Sequence, residues 1–104
     1  MIDVDELQQR LREFADARDW EKYHSPKNLV MAMSVEMAEL MEHFQWMTEQ
    51  QSLDLDTKTR EKVALEMADV LIYLVRMADR CGIDLDHAVE KKLLLNGQKY
   101  PVVK

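Results

Sequence analysis

The sequence predicts an all-α protein, a bundle of four to five helices. Three observations predict it. Only two Gly and two Pro occur in 104 residues, so helix breakers are few. Eight Met add good helix formers that adapt to irregular packing. Apolar residues recur at helical spacing along most of the chain, and two long segments are apolar almost all the way round. Helices of that kind need neighbours on several sides. One short chain has few to offer, so a core completed by oligomerisation is expected.

The first helix starts at Asp5 as a cap and runs to about Arg18. Leu7, Leu11 and Phe14 form its apolar stripe. The segment Asp19-Trp20-Glu21-Lys22-Tyr23-His24 breaks the pattern. Ser25-Pro26 then reads as an N-cap followed by Pro at the first helical position. The second helix is expected from Pro26 to about Met47. Placing residues at 100° intervals sets Glu36, Glu39 and His43 within an arc of about 60° on an otherwise apolar surface.

Residues 48–56 read as a polar connection. Asp56 or Thr57 caps a third helix, which reaches about Arg80 and stops at Gly82. From Val63 to Ala78 its only polar residues are Glu66, Asp69, Tyr73 and Arg76, a single polar line. Asp84 or Asp86 opens a fourth helix, and Asn96-Gly97 closes it. The tail is not helical after Pro101.

A chain of this length is most simply one domain, residues 1–104. Its 47% apolar and 33% charged residues describe a globular protein. The net charge of −6 argues against binding a nucleic-acid polymer, which calls for Lys and Arg clusters. A nucleotide remains compatible, because a bound metal supplies positive charge. The lone Cys81 suits a reducing compartment. The acidic start of the chain is unlike a signal peptide, and no apolar run approaches the ~20 residues of a membrane span. A cytoplasmic protein with no membrane partner is expected.

The chemistry concentrates in two acid pairs, Glu36 with Glu39 and Glu66 with Asp69. Residues three apart share a helix face. Any single pair reads first as a solvated stripe. Here both interrupt apolar helices, and antiparallel packing would bring them together. Clustered carboxylates repel and resist desolvation, and a hard divalent cation relieves both. Zinc is disfavoured, since His24, His43 and His87 lie far apart and the one Cys has no partner. A ferritin-like di-iron site is disfavoured too, because neither Glu36 nor Glu66 has a His three residues on. Trp20 and Trp46 suit either bundle ends or a base-stacking wall. Tyr73 lies one turn past Asp69. Arg76, Lys91, Lys92 and Lys99 read as surface charges, and periodicity does not show which points inward. Ser34, Ser52 and Cys81 lack the context of a nucleophile.

Taken together, several segments resemble a known family. They are Arg18-Asp19-Trp20, Tyr23 to Leu29, Glu36 to Trp46, Glu66 to Leu74, Lys92 to Asn96, and Lys99-Tyr100-Pro101. The sequence is similar to the all-α nucleoside triphosphate pyrophosphohydrolases, the MazG-like group, and within it the short dCTP pyrophosphatase type. The resemblance spans nearly the whole chain in order. It implies the helical bundle of that family and cleavage between the α- and β-phosphates of a nucleotide, giving a monophosphate and pyrophosphate. It implies Mg2+, or Mn2+ in its place, held by Glu36, Glu39, Glu66 and Asp69. Those four acids are then the catalytic set; which of them activates water is not fixed by the resemblance, and Glu39 is our expectation for the one that takes the proton. It implies substrate binding by Trp20, His24, Trp46, Tyr73, Lys92 and Asn96. It also implies a homodimer or homotetramer with active sites lined by more than one chain. Lys99 departs from the pattern, standing where Arg is common, so a point charge replaces a fork there.

Two functions from different classes follow. One is a pyrophosphohydrolase clearing unwanted deoxynucleotides. The other is a non-catalytic helical oligomeric interaction module. A helical carboxylate protein with a redox metal is a third. Pyrophosphate release from a nucleotide panel separates them.

Overall fold

The computed structural model describes residues 1–103. Among these residues the chain is all-α, with five α-helices and no strand. They are α1 (Val4–Ala17), α2 (Pro26–Glu42), α3 (Glu49–Ser52), α4 (Thr57–Cys81) and α5 (Leu85–Lys99). A single 3-10 turn, Glu21–Tyr23, lies between α1 and α2.

Helix starts follow capping chemistry. Ser25 accepts from the Asn28 amide at 3.2 Å and is followed by Pro26, as its sequence predicts. Asp56 accepts from the Thr59 amide at 2.7 Å, and Asp84 from the His87 amide at 3.1 Å. Gly82 ends α4 in the left-handed region at φ 68°, where a residue without Cβ is at ease. The cap of α1 is Asp3 rather than Asp5. Asp3 has the extended backbone a cap needs and accepts from the Glu6 amide at 3.1 Å, which places Asp5 inside the first turn.

Three boundaries differ from expectation. α2 stops at Glu42 instead of Met47, because residues 43–47 tighten into turns: the Phe44 and Met47 amides each donate to the third residue back at 2.9 Å. The connection over 48–56 contains α3. Thr48 and Gln51 form a reciprocal capping box, with Thr48 Oγ1 accepting at 3.1 Å and Gln51 Oε1 accepting at 2.9 Å. α5 runs through Asn96-Gly97 to Lys99. A lone Gly costs a helix only about 1 kcal/mol, and Pro101 with its restricted predecessor Tyr100 supplies the stop.

α2 and α4 form the main packing pair, and α1 lies across α4. His43, just past the end of α2, lies 2.7 Å from Glu66, while Glu36 and Asp69 line one cavity, so α2 and α4 run antiparallel. Few side chains are fully covered: Ala15, Leu29, Val63, Val75 and Ala78, with Arg76 beside them. α5 makes no substantial packing contact with another helix, and its Leu93 and Leu94 stay exposed. The radius of gyration is 16.7 Å, against about 13 Å for a compact chain of this length. The accessible surface is 8551 Å2. A compact monomer of 12.3 kDa exposes about 6,100 Å2, so roughly 2,400 Å2 is in excess. No helix among the described residues is long and apolar enough to cross a membrane.

Candidate active site

The antiparallel register turns two local acid pairs into one cluster. Glu36 and Glu39 come from α2, Glu66 and Asp69 from α4. The Glu36 carboxyl is pushed above its ordinary value, first by burial and then by the charges of Glu39, Asp69 and Glu66. The other three charges therefore all act on Glu36. Glu66 Oε2 is buried and receives no hydrogen bond. His43 Nε2 stands 2.7 Å from that oxygen, close enough for an ion pair when protonated but without an aligned N–H.

These residues fit a hard divalent cation by donor chemistry. All four supply oxygen, they repel one another when unbound, and one buried oxygen lacks a donor. Among the described residues no three His, Cys, Asp or Glu side chains are drawn together tightly enough to enclose an ion.

A cavity of about 510 Å3 adjoins the acids. Trp20, His24, Tyr73 and Arg76 line it together with Glu36 and Asp69. Trp20 sits in the irregular segment before α2, and that position has a local cause. Asp19 adopts φ 54°, a left-handed turn, and the Trp20 amide donates back to the Ala15 carbonyl at 2.9 Å. The chain reverses there and lays the indole against Phe14, with ring centroids 5.6 Å apart in an edge-on arrangement. The His24 ring is 6.0 Å from Trp20.

Of the residues singled out in the sequence, Glu36, Asp69, Trp20, His24 and Tyr73 line this one cavity. Glu39 and Glu66 belong to the acid cluster beside it. The single chain does not bring Trp46, Lys92 or Asn96 there. Trp46 lies in the turns after α2 and is 89% exposed, because the helix ends before reaching it. Lys92 and Asn96 ride on α5, which stands apart from the other helices.

Sequence reasoning left Arg76 on the surface, and the structure buries it at 4% exposure. Its Nε donates to His24 Nδ1 at 3.2 Å and its Nη1 to Asp79 Oδ2 at 3.2 Å. Asp79 also accepts from Arg12 Nε at 3.1 Å and Nη2 at 2.7 Å. Arg80 donates to the His24 carbonyl at 3.1 Å and to Glu21 at 2.7 Å. Two Arg of α4 thus anchor the segment that carries Trp20 and His24. The available signal was the 3, 4, 3 spacing that placed Arg76 on the same line as Glu66, Asp69 and Tyr73. Arg12 foremost holds the Asp79 carboxyl below its ordinary value. The His24 imidazole is held below its ordinary value by burial first, with Arg76 and Arg80 adding.

Comparison with known proteins adds a family match, two curated relatives and a solved structure. A model of the MazG-like family matches residues 31–104. The chain is 43% identical over 101 residues to dCTP pyrophosphatase 1 of Rattus norvegicus, covering 95% of this chain and 59% of that protein. To the human protein of the same name it is 43% identical over 62 residues, 60% of this chain and 36% of that one. The chain thus spans about a third to three-fifths of the curated relatives it matches. The crystal structure of a pyrophosphatase from Archaeoglobus fulgidus superposes with a TM-score of 0.88 at 43% identity, covering 94% of this chain and 92% of that one.

Proposed function

The chain belongs to the MazG-like family, and on that premise we propose that it is a Mg2+-dependent nucleoside triphosphate pyrophosphohydrolase. It cleaves a (deoxy)nucleoside triphosphate of the dCTP kind to the monophosphate and pyrophosphate, and so clears unwanted nucleotides from the pool. Residues 1–104 act as one domain. The observation that carries the reading is the cavity itself. An aromatic wall of Trp20, His24 and Tyr73 opens directly onto Glu36 and Asp69, so a base and a charged phosphate chain have adjoining places.

The base stacks on Trp20, whose indole is steadied by Phe14. Glu36, Glu39, Glu66 and Asp69 would hold Mg2+, or Mn2+ in its place. A divalent ion bound there supplies neutralisation of phosphate charge and acidification of a water. The water oxygen bonds to the α-phosphorus, the bond from that phosphorus to the bridging oxygen breaks, and pyrophosphate leaves. Glu39, exposed on α2, is the acid assigned to take the water's proton.

The active form is a homodimer or homotetramer. The excess of roughly 2,400 Å2 per chain is what an obligate interface would cover. An apolar groove between Met37, Met41, Phe44, Val63 and Met67, together with the bare α5, gives a second copy its seat. Lys92, Asn96 and Trp46, absent from the cavity of their own chain, then reach the site of a neighbour.

The test is a panel of ribo- and deoxynucleoside triphosphates with Mg2+, assayed for pyrophosphate and orthophosphate separately. Pyrophosphate from a pyrimidine deoxynucleotide supports the proposal. Orthophosphate alone changes the reaction, and no phosphate release from any nucleotide leaves the interaction module. Glu39→Gln lowers turnover at least about a hundredfold, the usual contribution of a positioned acid–base group. Near-normal turnover in that variant removes Glu39 from the mechanism.

A further inference from the structure

The contact between Arg76 and His24 determines more than the anchoring of a segment. A guanidinium stays protonated and has donors only, with no acceptor. Its Nε–H points at His24 Nδ1 over 3.2 Å. That nitrogen must therefore carry a lone pair, and in a neutral imidazole the proton then sits on Nε2. Burial and the two neighbouring Arg keep the ring neutral near pH 7. Nε2 makes no hydrogen bond to the protein among the described residues, and His24 lines the cavity beside Trp20.

Arg76 is itself held. It is 4% exposed, and its Nη1 is fixed on Asp79, whose two oxygens also take Arg12. The chain of contacts from Arg12 through Asp79 and Arg76 to His24 links α1 and α4 to one ring in the pocket wall. The interplanar angle between His24 and Trp20 is 56°, so a ring lying on the indole meets the imidazole at an edge.

We propose that Arg76 is a positioning residue that locks His24 as its Nε2–H tautomer, so that the pocket offers a hydrogen-bond donor at the edge of the stacked base. The group it selects is an acceptor, a carbonyl oxygen or an unprotonated ring nitrogen. A base presenting an amino group or a ring N–H at that edge is rejected, because two donors would face each other. The selectivity half rests on the nucleotide reading above; the tautomer half does not.

Two measurements test it on the full chain. Long-range 1H–15N correlation spectra of the 15N-histidine-labelled protein report the tautomer directly, with no substrate. His24 is expected to be protonated at Nε2 in the wild type and to exchange between tautomers in Arg76→Lys, which keeps the charge and loses the Nε–H fork. In kinetics on the best nucleotide, Arg76→Lys raises KM about tenfold, the loss of one well-placed hydrogen bond, with kcat within about threefold. His24→Gln, whose amide nitrogen can stand where Nε2 stood, keeps KM within about threefold of the wild type. His24→Glu, an acceptor, raises it at least about tenfold. If Arg76→Lys fails to fold, the two His24 variants still decide. A wild-type His24 protonated at Nδ1, or His24→Glu with an unchanged KM, overturns the proposal. A chain that shows the Nε2–H tautomer but releases no pyrophosphate from any nucleotide overturns the enzyme reading and the selectivity built on it, leaving the lock itself standing.

Discussion

Removing the Asp79 carboxylate isolates a buried charge, and the cost can be worked from the structure. Asp79 takes two bonds from Arg12 and one from Arg76. Arg12 is 48% exposed and recovers water when its partner goes. Arg76 is 4% exposed and does not. Its remaining partner, His24 Nδ1, is neutral. Breaking one side of a buried pair typically costs 3–5 kcal/mol. Asp79 keeps 16% exposure, which admits some screening and favours the low end, about 3 kcal/mol for Asp79→Ala. With a urea slope of roughly 1–3 kcal/mol/M, the midpoint falls by about 1–3 M. The assay is urea unfolding followed by circular dichroism, at one fixed protein concentration because assembly shifts apparent stability. The effect also has a pH sign. The Asp79 carboxyl is held below its ordinary value of 3.8. Its stabilisation is complete above that value and is lost as pH falls through its own lower one. The gap between wild type and variant is therefore full at pH 7 and closes in acid below pH 3.8. A gap under about 1 kcal/mol at pH 7, or one that persists unchanged into strong acid, refutes the reasoning. The double variant Arg76→Met with Asp79→Leu should regain most of the stability, since apolar replacement of a buried pair is often neutral. It should not regain a tight KM, because the His24 lock is gone.

Glu36 carries the opposite sign. Its carboxyl is raised above the ordinary 4.5, so its charge destabilises the metal-free fold fully above the raised value and not at all below the ordinary one. Glu36→Gln should thus raise the metal-free melting temperature at pH 7.5 and leave it unchanged at pH 4. Mg2+ at about 100 times its Kd should stabilise the wild type by about 2.7 kcal/mol, read as a thermal shift. An equal shift in Glu36→Gln would separate Glu36 from any ion. Leu94 on α5 is 65% exposed in the single chain. Leu94→Glu should convert the assembly to single chains in sedimentation, with lower stability. A wild type that already sediments at monomer mass would falsify the assembly reading.

Most helix starts were legible because capping is local: Ser25-Pro26, Asp56 and Asp84 each act within one turn of their own position. So does the left-handed Gly82 at the end of α4, whereas α1 is capped by Asp3 rather than Asp5. The ends were less legible for the same reason in reverse. α2 ends through a run of tightened turns with no Gly or Pro to mark them, and the Thr48–Gln51 capping box sat unread inside a polar stretch. The acid pairs could be seen as pairs, since three residues along a helix always share a face. That two pairs form one cluster needed the antiparallel register of α2 and α4.

Sequence by itself determined the all-α class, the faces of the helices, the two acid pairs as pairs and the family the chain resembles. Tertiary structure alone decided that Arg76 points inward and orders His24, that Trp46 faces solvent, and that α5 leaves its leucines bare. Periodicity and caps are set by neighbours three or four residues apart, and the chain carries that information locally. Which way a charged side chain turns, and what covers an apolar face, depends on segments more than fifty residues away, such as Arg76 and His24, and only packing brings those together.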